Sequence, residues 1–169
     1  MILWYFWIYS FLGWLLERAY AAVSHAERRA RRCFWLLPLC PVYGLGMLAI
    51  LALPPAWTAS PWMLVTGGLV ATAVEYAVHW AYERFLGVSF WDYRRVPGNL
   101  RGRVCLPFTV AWGLISAAAV WWVHPWVRIL AAAIPPTVTY LCLLVFTVDA
   151  LLSVRLLHVT HSVDLLRSS

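Results

Sequence analysis

The chain of 169 residues has no lysine; its thirteen basic residues are all arginine. That absence excludes the G-x-x-x-x-G-K-[ST] phosphate loop, and with it nucleotide hydrolysis by the usual route. Charge of any kind is scarce. Only 12% of residues are charged and seven are acidic, where a soluble domain carries about 25% charged residues. With 63% hydrophobic residues and a mean hydropathy of +0.75, this excludes an ordinary water-soluble globule. Cysteine is sparse as well: Cys33, Cys40, Cys105 and Cys142 show no C-x-x-C spacing, which removes the zinc-ribbon and dithiol-redox frameworks. All four are expected to be thiols packed in or beside a bilayer, and neither a cofactor nor a metal site is expected.

What is present is a series of five apolar runs: Met1 to about Val23, Cys33 to Leu53 bounded by Pro54-Pro55, Pro61 to about Phe85, Val104 to Val123, and roughly Leu130 to Leu152, interrupted early by Pro135-Pro136. They predict an all-α fold, a polytopic membrane helix bundle of about five transmembrane helices, with residues 1–169 as one integral membrane domain. Arg28, Arg29, Arg31 and Arg32 follow the first run, and Arg84, Arg94, Arg95, Arg101 and Arg103 follow the third. Arg128 alone occupies the other set of loops. This is a positive-inside pattern. It places the N-terminus outside and the C-terminus in the cytoplasm of a bacterial inner membrane, with lipid headgroups as the partners of the arginines. No aromatic-basic recognition module accompanies them, so nucleic acid is not an expected partner. Ala19-Tyr20-Ala21 resembles a signal-peptide cleavage site, yet the basic cluster follows the first run instead of preceding it, as for a retained anchor. The segment 153–169 alternates apolar and charged residues and predicts an amphipathic tail.

Two pentapeptides match: Trp14-Leu15-Leu16-Glu17-Arg18 and Trp80-Ala81-Tyr82-Glu83-Arg84. Each is followed by an arginine-rich loop and then by an apolar run opened by Cys, Pro and Gly, at Cys33–Gly44 and at Cys105–Gly113. The chain therefore reads as an internal repeat of two-helix units, about 1–53 and about 61–123, followed by an extra helix at about 130–152. An even number of crossings separates the units, so they are expected to superpose in parallel about an axis along the membrane normal.

The candidate binding residues are polar groups inside these runs. Glu75, His79 and Glu83 are spaced i, i+4, i+8 and share one helical face; Asp149 lies in the last run and Glu17 ends the first. A charged side chain at mid-membrane costs roughly 2.5–3.5 kcal/mol even on the lenient insertion scale, so Glu75 calls for a partner, a wet cavity or a proton. Arg101 and Arg103 are the cations placed to reach inward from the second basic loop. For Glu17 and Glu83, snorkelling or pairing with loop arginines is an equally good explanation. Pro38, Pro41, Gly44 and Gly46 in one run, and Cys105-Leu106-Pro107 in another, predict broken helix starts that line a site between the repeats. Most tryptophans fall near span ends, as an interfacial belt does, whereas Trp14, Trp80 and Trp112 sit deeper.

Several motifs occur in order: Tyr9-Ser10-Phe11-Leu12-Gly13-Trp14-Leu15-Leu16-Glu17, then 37–46 (LPLCPVYGLG), Glu75-Tyr76, Trp91-Asp92-Tyr93, and 99–106 (NLRGRVCL). Over residues 1 to about 125 the chain resembles the CmpB-like family of small bacterial membrane proteins described as type IV ABC-transporter permeases. Where relatives carry Asn-Arg-Gly before the second run, this chain has Arg31-Arg32-Cys33. The resemblance implies a permease-like component with no assigned substrate, and the missing phosphate loop implies a separate ATPase subunit. Homo-oligomerisation through Gly67-Gly68 or Gly44/Gly46 is also expected of so small a permease. The expected function is a transport or membrane-embedded binding component with an acidic cavity facing the cytoplasm, favouring a cationic or protonatable solute. Two other classes stay open on the residues alone. One is an intramembrane enzyme acting on a lipid-linked substrate, with Glu75 or Glu83 and His79 as acid and base and Arg101 or Arg103 on a phosphate. The other is a structural assembly partner. No nucleophile–base–oxyanion constellation is recognisable, so a non-enzymatic role is the expectation.

Overall fold

The computed structural model describes residues 1–23 and 33–167 and is mostly helical. The arginine cluster Arg28, Arg29, Arg31 and Arg32 lies outside the described residues. Helix α1 (Ile2–Val23) is followed by a non-helical stretch, 33–40, and then by α2 (Pro41–Leu51). Pro41 stands in the first turn of α2, where its missing N–H is no loss, while Pro38 keeps the preceding chain out of the helix. The expected second span, Cys33–Leu53, is thus a helix of 11 residues, about 16 Å long at ~1.5 Å per residue. A single turn, α3 (Pro55–Thr58), leads to α4 (Met63–Ala81), which runs on through a π turn at Tyr82–Leu86 and stops at Gly87 with left-handed backbone.

Between α4 and the next helix lies a feature that the all-α reading did not anticipate: a small antiparallel hairpin of β1 (Asn99–Leu100) and β2 (Val104–Cys105), paired Asn99 with Cys105 and Leu100 with Val104. Its turn takes positive φ at Arg101 and Gly102. Helix α5 (Leu106–Ala118) continues through a second π turn, Ala119–Val123, into α6 (His124–Ala133), so the fourth run does not end at Val123. Pro125 falls in the first turn of α6, and the π turn ahead of it absorbs the missing hydrogen bond. Pro135 and Pro136 open α7 (Pro136–Thr160) instead of interrupting it, and α7 takes in the first half of the expected tail, as far as Thr160. A short α8 (Asp164–Arg167) follows. Among the described residues two helices, Leu106–Ala133 and Pro136–Thr160, are long and apolar enough to cross a membrane, against the five spans expected.

Helix α1 packs on α2, α4 on α5, and α2 on α4. Small residues permit the close crossings. A Cβ on Gly44 would meet Ser10 Oγ and the Phe6 carbonyl of α1; on Gly68 it would lie 2.7 Å from the Thr109 carbonyl of α5; on Gly113 it would collide with the Leu64 carbonyl of α4. The glycines expected to mediate self-association, Gly44, Gly67 and Gly68, therefore meet neighbours within the chain. Gly46 differs: nothing lies within 4 Å of its added Cβ. Helix α7 is held by side chains, with Phe146 meeting the rings of Phe6, Trp7 and Phe34 and Trp4 Nε1 donating to Thr139 Oγ1 at 2.9 Å.

The glycines make a direct test of this packing. Gly68→Ala and Gly113→Ala should each lower stability by about 1–3 kcal/mol through overpacking. Gly46→Ala should leave it unchanged or raise it by up to ~1 kcal/mol, through the higher helix propensity of alanine. Thermal unfolding of the purified variants in detergent is the measurement, and equal losses at Gly46 and Gly68 would refute the assignment of close crossings.

Candidate functional site

Helix α4 carries its polar residues one turn apart toward its C-terminal end. Glu75, 3% exposed, accepts hydrogen bonds from Tyr93 Oη at 3.0 Å and from Trp112 Nε1 at 2.9 Å. One turn on, buried His79 places Nε2 3.2 Å from Glu83 Oε1 and packs edge-on against Trp91 with centroids 4.9 Å apart. On the next turn Glu83 Oε2 receives both Nε and Nη2 of Arg103 at 2.8 Å, and Arg103 Nη1 donates to Tyr76 Oη at 2.8 Å. Burial works against the charge on Arg103, but the bonds to Glu83 and Tyr76 outweigh it and hold the guanidinium above its ordinary pKa. Glu75, His79, Glu83 and Arg103 thus form one ladder along α4, and the loop from Val88 to Arg103 is fastened to it.

The other candidates stand elsewhere. Glu17 Oε1 accepts from Tyr43 Oη at 2.6 Å. Asp149 is fully buried and accepts the backbone N–H groups of Leu36 (3.1 and 3.3 Å) and Leu37 (2.8 Å). Beside it Ser153 Oγ accepts from the Trp35 N–H at 2.9 Å. These contacts pin the stretch that precedes α2 onto α7. Arg101 is exposed at the hairpin turn.

A cavity of about 390 Å³ lies between α1, α2, α4 and the α5 segment. One end is lined by Tyr9, Ile50 and Val123, the other by Leu16, Tyr43, Glu75 and Trp112. Of the candidate residues only Glu75 lines it, and the remainder of the wall is mostly apolar, so the cavity is less acidic than expected. Tyr43 and Trp112 meet edge to face there, with centroids 5.5 Å apart and planes at 84°. Each gives its polar hydrogen to a carboxylate, Tyr43 to Glu17 and Trp112 to Glu75.

The enzyme alternative can be weighed against this geometry. Ser89 Oγ lies 3.4 Å from His79 Nε2, and His79 approaches Glu83, which has the look of a Ser-His-acid set. Serine and glutamate, however, face the same ring nitrogen, whereas a triad needs them on opposite nitrogens. The Ser89 hydroxyl is also spent on the Trp91 carbonyl at 2.7 Å. The arrangement orders the loop; it does not generate a nucleophile.

Sequence reasoning missed Tyr43, Tyr76 and Tyr93, and it valued Trp112 only for its depth. A signal for two of them was present: 37–45 (LPLCPVYGL) and 106–114 (LPFTVAWGL) share Leu-Pro, an aromatic residue five positions after the proline, and Gly-Leu. Residues 4–154 match the family described as Putative ABC-transporter type IV. The chain belongs to that family. No curated protein and no solved structure matches it.

Two acids clamp two different segments, and this can be separated experimentally. Asp149→Ala leaves buried N–H groups without an acceptor and should cost about 2–4 kcal/mol, with hydrogen exchange rising at residues 35–37. Arg103→Gln should instead speed exchange across 91–103 while residues 35–37 stay protected. Loss of protection in both segments from either variant would show that the clamps are not separate.

Proposed function

We propose that the chain is the membrane-embedded subunit of an ABC-type transporter, with the Glu75 cavity as its substrate site and a separate subunit hydrolysing ATP. The observation that carries this reading is a nearly buried carboxylate on the wall of a cavity between two helix pairs. An acid in so apolar a setting is costly even when hydrogen-bonded, and in membrane segments such groups mark substrate or ion pathways. Family membership supplies the link to transport, and the absence of a phosphate loop supplies the need for an ATPase partner.

A bundle of about five spans is part of the proposal, with the stretch 33–40 and α2 together as the one crossing that is not a single long helix. Besides Leu106–Ala133 and Pro136–Thr160, helix α1 has 22 residues, about 33 Å at ~1.5 Å per residue, and α4 with its π turn is of similar length. The mean hydropathy of α1 is diluted by Trp and Tyr, residues at home in membrane interfaces, and that of α4 mainly by Glu75 and His79. Large apolar side chains such as Leu15, Leu69, Leu114, Leu144 and Leu151 are exposed, more than a soluble monomer presents to water. Trp57, Trp62, Trp122 and Trp126 are exposed around the α3–α4 connection and the α5–α6 stretch, which fits an aromatic belt on the outer side. Arg84, Arg94 and Arg101 are exposed at and beyond the C-terminal end of α4, which fits a cytoplasmic face there.

The internal repeat is also proposed, in a register set by contacts: Pro38 with Pro107, Tyr43 with Trp112, Gly44 with Gly113, and Glu17 with Glu75. On this register Glu17 answers to Glu75 instead of Glu83, because the aromatic residue ahead of each glycine donates to the acid of the preceding helix. The units are α1 with α2 and α4 with α5.

Two measurements test these readings. Purified in mild detergent, the chain should bring with it a nucleotide-hydrolysing subunit; Glu75→Gln should keep that association and change stability by less than ~1 kcal/mol, yet abolish substrate-stimulated hydrolysis. Absence of any such subunit, together with a strongly destabilised Glu75→Gln protein, would overturn the transport reading. For topology, cysteines introduced into 94–103 should react with an impermeant maleimide only after permeabilisation, and one placed in the α3 turn should react in intact cells.

A further inference from the structure

We propose that the Glu75 cavity takes an amphipathic organic cation, an amine or onium group carrying aromatic or alkyl substituents; the inference rests on the reading that this cavity is the substrate site. Its volume of about 390 Å³ falls in the range of pockets for drug-sized molecules, ~300–1,000 Å³. Leu12, Leu16, Val42, Met47, Ile50 and Ile115 make most of the wall apolar. An inorganic cation would have to exchange its hydration shell for hydrocarbon there. Glu75 is the one carboxylate among the lining residues, and no group of three or more His, Cys, Asp or Glu is gathered to hold a metal ion among the described residues. An anion would be opposed by the carboxylate.

The aromatic pair favours a cation over a neutral guest. Tyr43 donates its phenol hydrogen to Glu17, and Trp112 its indole hydrogen to Glu75. Donation to a carboxylate pushes electron density into each ring, which makes the faces more attractive to positive charge, and the exclusion of water strengthens that attraction. Carboxylate, polarised π faces and an apolar shell together match a cation whose charge is spread over, or wrapped in, hydrocarbon.

The test is equilibrium dialysis of the purified full-length chain in nanodiscs with tetraphenylphosphonium and, separately, with neutral triphenylphosphine oxide of similar size. Saturable phosphonium binding, tighter than that of the neutral probe by about tenfold or more, is the expected result, and Glu75→Gln should weaken it by about tenfold or more. Nothing lies within 4 Å of a Cβ added at Gly46, which lines the cavity, so Gly46→Leu fills that space while keeping Glu75 itself; it should abolish binding, and it serves as the second variant if Glu75→Gln does not fold. Phosphonium binding that survives Gly46→Leu would overturn the proposal, because the probe would then sit elsewhere. Equal binding of both probes, unaffected by Glu75→Gln, would overturn cation selectivity and leave a lipid-filled groove. Failure of both probes to bind, while Glu75→Gln still uncouples the ATPase, would overturn the ligand class and leave the substrate site standing. If neither binding nor coupling responds to Glu75, both readings fall.

Discussion

A carboxylate withdrawn from water must be met by hydrogen-bond donors, and Glu75 imposes that requirement on everything around it. At 3% exposure it is satisfied by side chains from two different segments: Tyr93 from the long connection after α4, and Trp112 from α5. Bringing Tyr93 to that depth draws the connection into the bundle instead of leaving it across the surface. Val88, Phe90, Trp91 and Tyr93 are all buried as a result. The same stretch is fastened a second time nearer its end, where Arg103 meets Glu83 two turns further along α4. One helix thus holds both ends of the loop, and the loop closes one side of the site.

Asp149 answers the same constraint by another route. Its donors are backbone N–H groups at Leu36 and Leu37, in a stretch where proline prevents helix formation and the amides would otherwise lack partners. The two deepest acids therefore do parallel work: each accepts from an irregular segment that immediately precedes a helix with proline in its first turn, 33–40 before α2 and 87–105 before α5. Irregular backbone inside an apolar bundle is tolerable only where something of this kind accommodates it. Helix α7, which otherwise touches the bundle through aromatic edges and its C-terminal end, is joined to it through Asp149.

The elements legible in the sequence were those governed by local rules. Runs of apolar residues located α1, α4, α5 and α7, and the i, i+4, i+8 spacing put Glu75, His79 and Glu83 on one face, where they are found. Boundaries differ near two prolines: the fourth run ends at Val123 by composition, but the helix carries on past Pro125 behind a π turn, and Pro136 begins a helix where Pro135-Pro136 reads as an interruption of the fifth run. The shortness of α2 was half visible in Pro38 and Pro41, but how far the irregular stretch extends depends on its anchoring by Asp149, a contact more than a hundred residues away in sequence. The hairpin at 99–105 and the inward path of Tyr93 were invisible for the same reason, since only tertiary partners define them. Polarity misled as well. Residue type alone suggests acids converging on one cavity, whereas only Glu75 of these acids lines the cavity between α1, α2, α4 and α5.

The site geometry follows from how closely the helices approach. Gly13 lets the Tyr43 ring lie directly against α1, where a Cβ would collide with it, and the Tyr43 hydroxyl then reaches Glu17 one turn along the same helix. Gly113 lets α5 press its backbone onto the Leu64 carbonyl of α4, and the neighbouring Trp112 indole then reaches Glu75. In both pairs a small residue sets the separation and an aromatic residue uses it to meet an acid. The two rings are thereby brought to an edge-to-face contact between the helix pairs, so the aromatic pair lining the cavity is a consequence of helix packing. Gly46, one turn beyond this contact in α2, faces open space where Gly13 faces the Tyr43 ring, Gly44 the Phe6 carbonyl and Ser10 hydroxyl, and Gly113 the Leu64 backbone. Close crossing at Gly13, Gly44 and Gly113 and open space at Gly46 are together what leave a cavity beside a pair of acid-anchored rings.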